Sequence, residues 1–422
     1  MYDWSISAVQ TTVMVAVFPI FYIQVAGAEA GPTTASQWWA ISNGIAVAIV
    51  AIVSPVLGAI ADFAAAKKKL LAFWTATGIL ACAGMYFIGR GDLPLASALF
   101  VLVAISAAAA IVFYDALLPH IAAPSEVDRV SAAAFAIGYL GGGLLLAVNL
   151  AMILKPAWFG LGEADTTMPV RLSMVSVAVW WLLFSIPLFL RVPEPPRRLE
   201  SDERAGENPV RVAFIRLVET LRELRAYKHA FLMLVAFLIY NDGIATFQRM
   251  AAAYGTELGI RRESLIAAIL IVQFVGVPAT FLFGSLANRM GAKRSILAGL
   301  VVFLGVSVLA WFMKTAAHFY LLAAIIGLVQ GGTQALSRSL FATLIPRYKS
   351  GEFFGFYSVF SKFAGIFGPF LFAAIIGATG SSRSAILSVS LFFLAGGFLL
   401  LLVNVEEGAR SARAAEEATR AG

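Results

Sequence analysis

The chain has 422 residues, 60% of them hydrophobic and only 13% charged. Soluble domains carry about 25% charged residues, so this composition excludes a globular surface of that size and predicts an all-α polytopic membrane protein. One cysteine, Cys82, excludes an internal disulfide, and His120, His229 and His318 lack metal-ligand spacing. Neither a metal nor another cofactor is therefore expected.

Apolar stretches of about 20 residues or more, the length that crosses a bilayer core, predict twelve transmembrane helices. They run near 5–28, 37–61, 70–89, 94–118, 130–154, 169–190, 230–254, 264–287, 295–314, 317–345, 353–378 and 384–404. The first lacks a basic leader and is too long for a signal peptide, so it reads as a span. With the N-terminus taken as cytoplasmic, inner segments hold 21 Lys and Arg and outer segments hold 7. The remaining three, Arg249, Arg338 and Lys362, lie within spans. The bias follows the positive-inside rule and places both termini inside, as in a bacterial inner-membrane protein. It also accounts for the net charge of +7 without a nucleic-acid partner.

The polar segment 191–228 separates residues 1–190 from 229–404, an expected pair of six-helix bundles. Its start has linker composition. Its second part, 208–226, reads as a basic amphipathic helix on the membrane surface, with Asn208 as cap and Phe214, Leu217, Val218, Leu221 and Leu224 on one face. A target site for a partner protein is the alternative. The charged, Ala-rich tail, 405–422, is expected to be solvated, with a frayed helix as one form of it.

The halves echo each other. Gly58, Asp62, Lys67 and Lys68 after span two match Gly284, Asn288, Lys293 and Arg294 after span eight at an offset of 226. Leu118-Pro119 with Ile345-Pro346, and Gly138-x-x-Gly141 with Gly365-x-x-Gly368, share an offset of 227. Such spacing predicts two parallel repeats. The glycine lets helices approach closely, the acid accepts bonds from helix N-termini and basic groups, and the basic cluster anchors the hairpin to anionic lipid.

Polar residues inside spans supply the candidate site. Asp242 sits at mid-depth in span seven, with Arg249 about two turns on and Tyr240, Asn241 and Gln248 nearby. A charge at the bilayer centre costs at least roughly 2.5–3.5 kcal/mol, so the pair is either a structural ion pair or a wall of a wet substrate path. Asp242 is also a candidate protonation site. In span ten Gln330, Gln334 and Arg338 recur every four residues beside Thr333, a polar stripe suited to a zwitterion or an anion. Interhelical hydrogen bonding is the bland alternative. Arg338 and Lys362 share a depth and need anions. Asp3 and Asp115 are the expected partners in a cytoplasmic gate, and Glu352 is within reach. Gln10, Thr11, Asn149 and Gln273 are further cavity candidates, each able instead to be a satisfied packing residue.

Twelve spans as six plus six, with the Gly58–Asp62 hairpin and its echo, resemble the major facilitator superfamily. More narrowly, Tyr2-Asp3-Trp4, Ala136 to Gly143, Tyr240-Asn-Asp-Gly243 and Gly327 to Ser339 are similar to the unknown major facilitator family. That group is related to the fungal autophagy-linked vacuolar amino-acid effluxers. The resemblance implies a secondary transporter working by alternating access, with its site between the halves, and, through the fungal relatives alone, amino acids as a substrate class; a proton or sodium ion is a candidate for coupling. The expected partners are a small-molecule substrate and the lipid bilayer, with the chain acting as a monomer. Two departures stand out. Asn288 replaces the second hairpin acid, and span four carries Tyr114-Asp115 in place of an arginine, which questions a standard proton-coupling arrangement. A lipid flippase or a non-transporting sensor are the alternatives. No phosphate-binding G-x-x-x-x-G-K loop or nucleophile motif points to an ATPase or another enzyme.

Overall fold

The computed structural model describes residues 1–162, 167–196, 215, 227–257, 260, 262–365 and 367–421. Among these residues the regular structure is entirely helical. The first half contains α1 (Tyr2–Ala26), α2 (Pro32–Ala64), α3 (Lys67–Gly84), α4 (Leu93–Ile121), α5 (Val127–Leu154) and α6 (Met168–Arg191). The second contains α7 (Lys228–Glu257), α8 (Arg262–Met290), α9 (Ala292–Trp311) and α10 (Ala316–Thr343). It continues with α11 (Ser350–Phe363), α12 (Phe367–Thr379), α13 (Ser382–Leu401) and α14 (Val405–Ala421). Among the described residues eleven helices are long and apolar enough to cross a membrane, and α11 with α12 covers the remaining expected span.

That span is where the expected continuous helix over 353–378 is corrected. It stops at Phe363 and restarts at Phe367. Gly365 has φ +90°, a left-handed conformation that glycine adopts without a Cβ penalty. Pro369 then sits in the first turn of α12, where its missing N–H leaves no ladder bond unmade. The first span is also irregular: Val9–Ala16 and Tyr22–Ala26 are wound as π-helix around the short α turn Phe18–Phe21. Pro19 cannot donate to the helical ladder, and hydropathy carries no trace of the rewinding.

The tail is a second correction. It is a helix, but one face of it is docked rather than solvated. Ala412 is buried, and Gly408 lies against Leu344 and His229. His229 is placed to hold both ends of the junction: its Nδ1 accepts the Asn404 N–H at 3.2 Å and its Nε2 lies 3.0 Å from a Glu407 carboxylate oxygen. The Arg347 N–H donates to Glu416 at 2.8 Å. The docking face is made of small residues, which register weakly as apolar. An Ala412→Asp substitution is expected to undock α14, since a buried unpaired polar group costs about 1–3 kcal/mol or more. Limited proteolysis between α13 and α14 reads this. The expected surface helix at 208–226, Ile215 excepted, lies outside the described residues.

Two apolar cores form. One joins residues of α1 to α6. The other joins α7 to α13 but also takes in Ala116, Leu118, Ala122 and Val127 from the ends of α4 and α5. Large apolar side chains such as Leu190, Phe87 and Phe370 are turned outward, as a lipid-facing surface allows. The halves meet through α2 on α11, α4 on α11, and α5 on α8 and α10. Glycines permit the closest of these contacts. Gly58 lies directly on the Gly351 carbonyl, a Cβ on Gly355 would come 2.7 Å from Pro55 Cα, and one on Gly284 would come 2.8 Å from the Ala132 methyl. All three lie at the membrane side that carries the α2–α3 and α8–α9 hairpins. Beyond the break, α12 packs on α7 and α13 of its own half.

Candidate functional site

A dense polar contact between the halves is built on Arg338. Its side chain leaves α10 and enters a recess in the other half. Nη1 lies 2.9 Å from Asp115 Oδ1 and 3.7 Å from Asp3 Oδ1. Nε donates to Ser131 Oγ at 3.0 Å and Nη2 donates to the Ser131 carbonyl at 3.3 Å. The guanidinium lies 4.6 Å from the Phe135 ring centre, within cation–π range. Tyr114 donates its hydroxyl proton to Asp3 Oδ2, and Ser131 donates to the Ala335 carbonyl at 2.7 Å. Arg338, Asp115 and Asp3 are 4%, 6% and 9% exposed, so Asp3 is not a solvated interfacial residue. The structure thus brings together three of the four expected gate residues. The side chain of Lys362 lies outside the described set. Ser131 and Phe135 were not legible in the sequence: a serine and a phenylalanine in an Ala-rich helix look like packing.

A second cross-half contact lies nearer the hairpins. Asp62 Oδ1 is 2.5 Å from Lys67 Nζ, and Asp62 Oδ2 accepts the Glu352 N–H at 2.9 Å. A carboxylate is favoured there because the first N–H groups of α11 have no helical partner and carry the positive end of its dipole. His120 Nε2 lies 3.3 Å from Lys67 Nζ and 3.2 Å from Ser350 Oγ. The Lys68 N–H donates to both Glu194 oxygens at 3.0 Å. The echo is not a copy of this lock. Asn288 and Arg294 are exposed, while Lys293 Nζ donates to the Leu401 and Val403 carbonyls, each at 2.8 Å. Lipid anchoring, expected for both basic clusters, is therefore corrected for Lys67 and Lys293. Both ammonium groups turn to protein, where Asp62 and the orphan carbonyls at the end of α13 offer fixed acceptors.

Above Arg338 the described polar groups are uncharged. Gln330, two turns away on α10 and so about 12 Å along the axis, donates from Nε2 to Tyr139 OH of α5 at 3.1 Å. The Tyr139 ring fills a notch at Gly331 and Gly276, where a Cβ would come 2.5 Å and 3.6 Å from it. Gln334 Nε2 donates to Asn241 Oδ1 at 3.4 Å. Gln273 faces Gly143 across the α5–α8 contact, and half-buried Gln10 lies in the π-wound part of α1. Thr11 there donates to the Ser7 carbonyl at 3.1 Å. Gln330 Oε1 is buried and has no partner among the described residues.

Other cavity candidates are placed elsewhere. Tyr240 is wholly buried with its hydroxyl 2.5 Å from Ser337 Oγ, Thr333 is buried against Gly299, and Asn149 Oδ1 accepts from Ser176 at 2.8 Å. These three sit inside their own halves, because helix periodicity turns them away from the neighbouring bundle. Asp242 is 1% exposed, and its oxygens accept the Gly368 and Phe367 N–H groups at 2.9 and 3.1 Å. The side chain of Arg249, its expected partner, lies outside the described residues.

Two helical halves meeting across buried polar groups define a membrane transporter of the major facilitator fold. Solved structures agree on the fold. The proton:xylose symporter XylE bound to 6-bromo-6-deoxy-D-glucose matches at 13% identity and TM-score 0.67, over 96% of this chain and 93% of that one. A bacterial homologue of the iron transporter ferroportin, in an outward-facing state, matches at 16% identity and TM-score 0.64, over 95% and 96%. The chain belongs to the family described as "Vacuole effluxer Atg22 like", whose model matches residues 22–413. It is similar to the uncharacterized MFS-type transporter YxiO of Bacillus subtilis, 37% identical over 96% of this chain and 94% of that protein. Autophagy-related protein 22 of Yarrowia lipolytica is 26% identical over 67% of this chain. The match spans only 51% of that fungal protein, about half its length. Members and structural neighbours are transporters rather than enzymes.

Proposed function

We propose that the chain is a secondary active transporter that moves a small polar solute by alternating access between bundles 1–190 and 229–404, joined by the linker 191–228. The observation that carries this reading is the Arg338 side chain, which leaves one half and is neutralised wholly by Asp115 and Asp3 of the other. An ion pair that crosses a seam between two bundles can break and re-form as a gate, and breaking it exposes the neutral amides above it. Both termini are assigned to the cytoplasm of a bacterial cell membrane from the distribution of Lys and Arg. The contacts at Gly58, Asp62 and Arg338 then close the cytoplasmic side.

Gln330, Gln334, Asn241 and Tyr139 are the groups assigned to the solute, with Gln10 and Gln273 at the margin. Their free lone pairs and N–H groups suit hydroxyl, amide, ammonium or carboxylate groups. Amino acids are the first class to test, since the family description names an effluxer and its fungal relatives form part of the resemblance. A proton or a sodium ion is the coupling ion to test. Reconstituted vesicles with labelled amino acids separate the outcomes: gradient-dependent uptake supports the transporter, and saturable binding without flux identifies a sensor. Gln330→Leu and Gln334→Leu are each expected to weaken solute binding roughly tenfold, the equivalent of one hydrogen bond of about 1.4 kcal/mol. A thermal-shift titration reads this directly, because ligand that binds the folded state raises its apparent stability.

A further inference from the structure

Asp242 has a place in the fold that neither a substrate ligand nor a proton carrier explains. It lies on α7 opposite the break in the eleventh span. The two halves of that span have different neighbours: α11 packs on α2 and α4 of the other bundle and also on α7, whereas α12 packs on α7 and α13. Between them the chain turns through Gly365 at φ +90°. A helix that restarts inside a membrane has N–H groups with no partner, each costing several kcal/mol in hydrocarbon if unmet. Asp242 meets them. Oδ1 accepts Gly368 N–H at 2.9 Å, Oδ2 accepts Phe367 N–H at 3.1 Å, and the Gly365 N–H is directed at the same carboxylate. The negative charge also opposes the positive end of the α12 dipole. Thr246 completes the setting: its hydroxyl donates to the Asp242 carbonyl at 2.7 Å, and its side chain fills the space a Cβ on Gly368 would need. With its oxygens aimed at backbone donors, this carboxylate is occupied as a cap.

We propose that Asp242 is the positioning residue of a hinge in the eleventh span, holding α12 to α7 so that α11 alone swings away from α2 and α4. The motion rests on the alternating-access reading; the pin does not, so the two parts are tested separately. Spin-label pairs in a Cys82→Ser background, one joining Phe370 on α12 to Val301 on α9 and one joining Val359 on α11 to Phe73 on α3, are measured by pulsed dipolar spectroscopy. No substrate is needed. In Asp242→Asn, which removes the charge and one acceptor, the Phe370–Val301 distribution gains a second population while Val359–Phe73 stays as narrow as in the parent. Gly368→Ala, which keeps the carboxylate but crowds Asp242 and Thr246, gives the same pattern. A Phe370–Val301 distribution that stays narrow in both variants, or both pairs broadening together, overturns the pin. For the motion, Gly58→Ala lengthens Val359–Phe73 and leaves Phe370–Val301 unchanged. Both pairs shifting together, or neither shifting, overturns the swing while leaving the pin standing on its own result.

Discussion

Arg338→Ala is expected to abolish transport and to lower the stability of the form in which this ion pair is closed by about 3–5 kcal/mol, the usual penalty for removing one partner of a buried ion pair. The size follows from what is left behind. Asp115 and Asp3, 6% and 9% exposed, would face each other's charge with no other cation touching them among the described residues. Ser131 would lose the guanidinium donors that reach both its hydroxyl and its carbonyl. Arg338→Lys keeps the charge but cannot make three directed bonds from one planar fork, so it should retain a slow flux. Asp115→Asn and Asp3→Asn are expected to differ: Asp115, at 2.9 Å, is the stronger partner, and Asp3, at 3.7 Å and bound to Tyr114, the weaker. Exchanging the charges, Arg338→Asp with Asp115→Arg, should recover part of the flux lost in the singles. Full activity of Arg338→Ala in vesicles, or an exchange that never recovers what the singles lose, removes Arg338 from the gate.

The second large effect comes from a single methyl group. Gly58→Ala is expected to drive the transporter out of the form closed at the proposed cytoplasmic side. A Cβ there would overlap the Gly351 carbonyl, which is main chain and cannot rotate aside. The clash lies between the two halves, so each bundle can stay folded while the seam opens. Gly355→Ala should act in the same direction, since its methyl would meet Pro55 and the Ser54 carbonyl at 2.7 Å. Labelling of Ala59→Cys, introduced into a Cys82→Ser background, reads the outcome. Ala59 is fully buried against Phe356 of α11, so a thiol there reacts only when α2 and α11 part. Fast labelling in Gly58→Ala with slow labelling in the parent is the expected result. Equal, slow labelling in both means that the seam absorbs the methyl and that the glycine is not required for closure.

Hydropathy was enough to read the helices because bilayer thickness sets their length and lipid sets their composition, both of which are local properties of the chain. The same holds for three of the proposed gate residues. Asp3, Asp115 and Arg338 were legible as a group because a charge in a span demands a counter-charge at its own depth, and few are available. The break in the eleventh span was less legible. The sequence of Gly365, Gly368 and Pro369 fits a break, but those residues are also common in unbroken membrane helices. The docking of α14 through Gly408 and Ala412 was hidden for a similar reason, since small residues carry little hydropathy.

What the sequence determined by itself is the number and order of spans and the identity of charges that must be neutralised; the division at the polar linker and the sidedness read from Lys and Arg stand as proposals. What only the tertiary structure decided is which polar groups face the seam. Tyr139, Ser131 and Phe135 were brought to Gln330 and Arg338 by the crossing of α5 against α10, whereas Tyr240, Thr333 and Asn149 were turned into their own bundles. Asp242 was placed against the N–H groups at the start of α12. The physical reason is that burial in lipid dictates that a polar group must have a partner, while the choice of partner depends on helix rotation and crossing, which arise from packing between segments far apart in the chain.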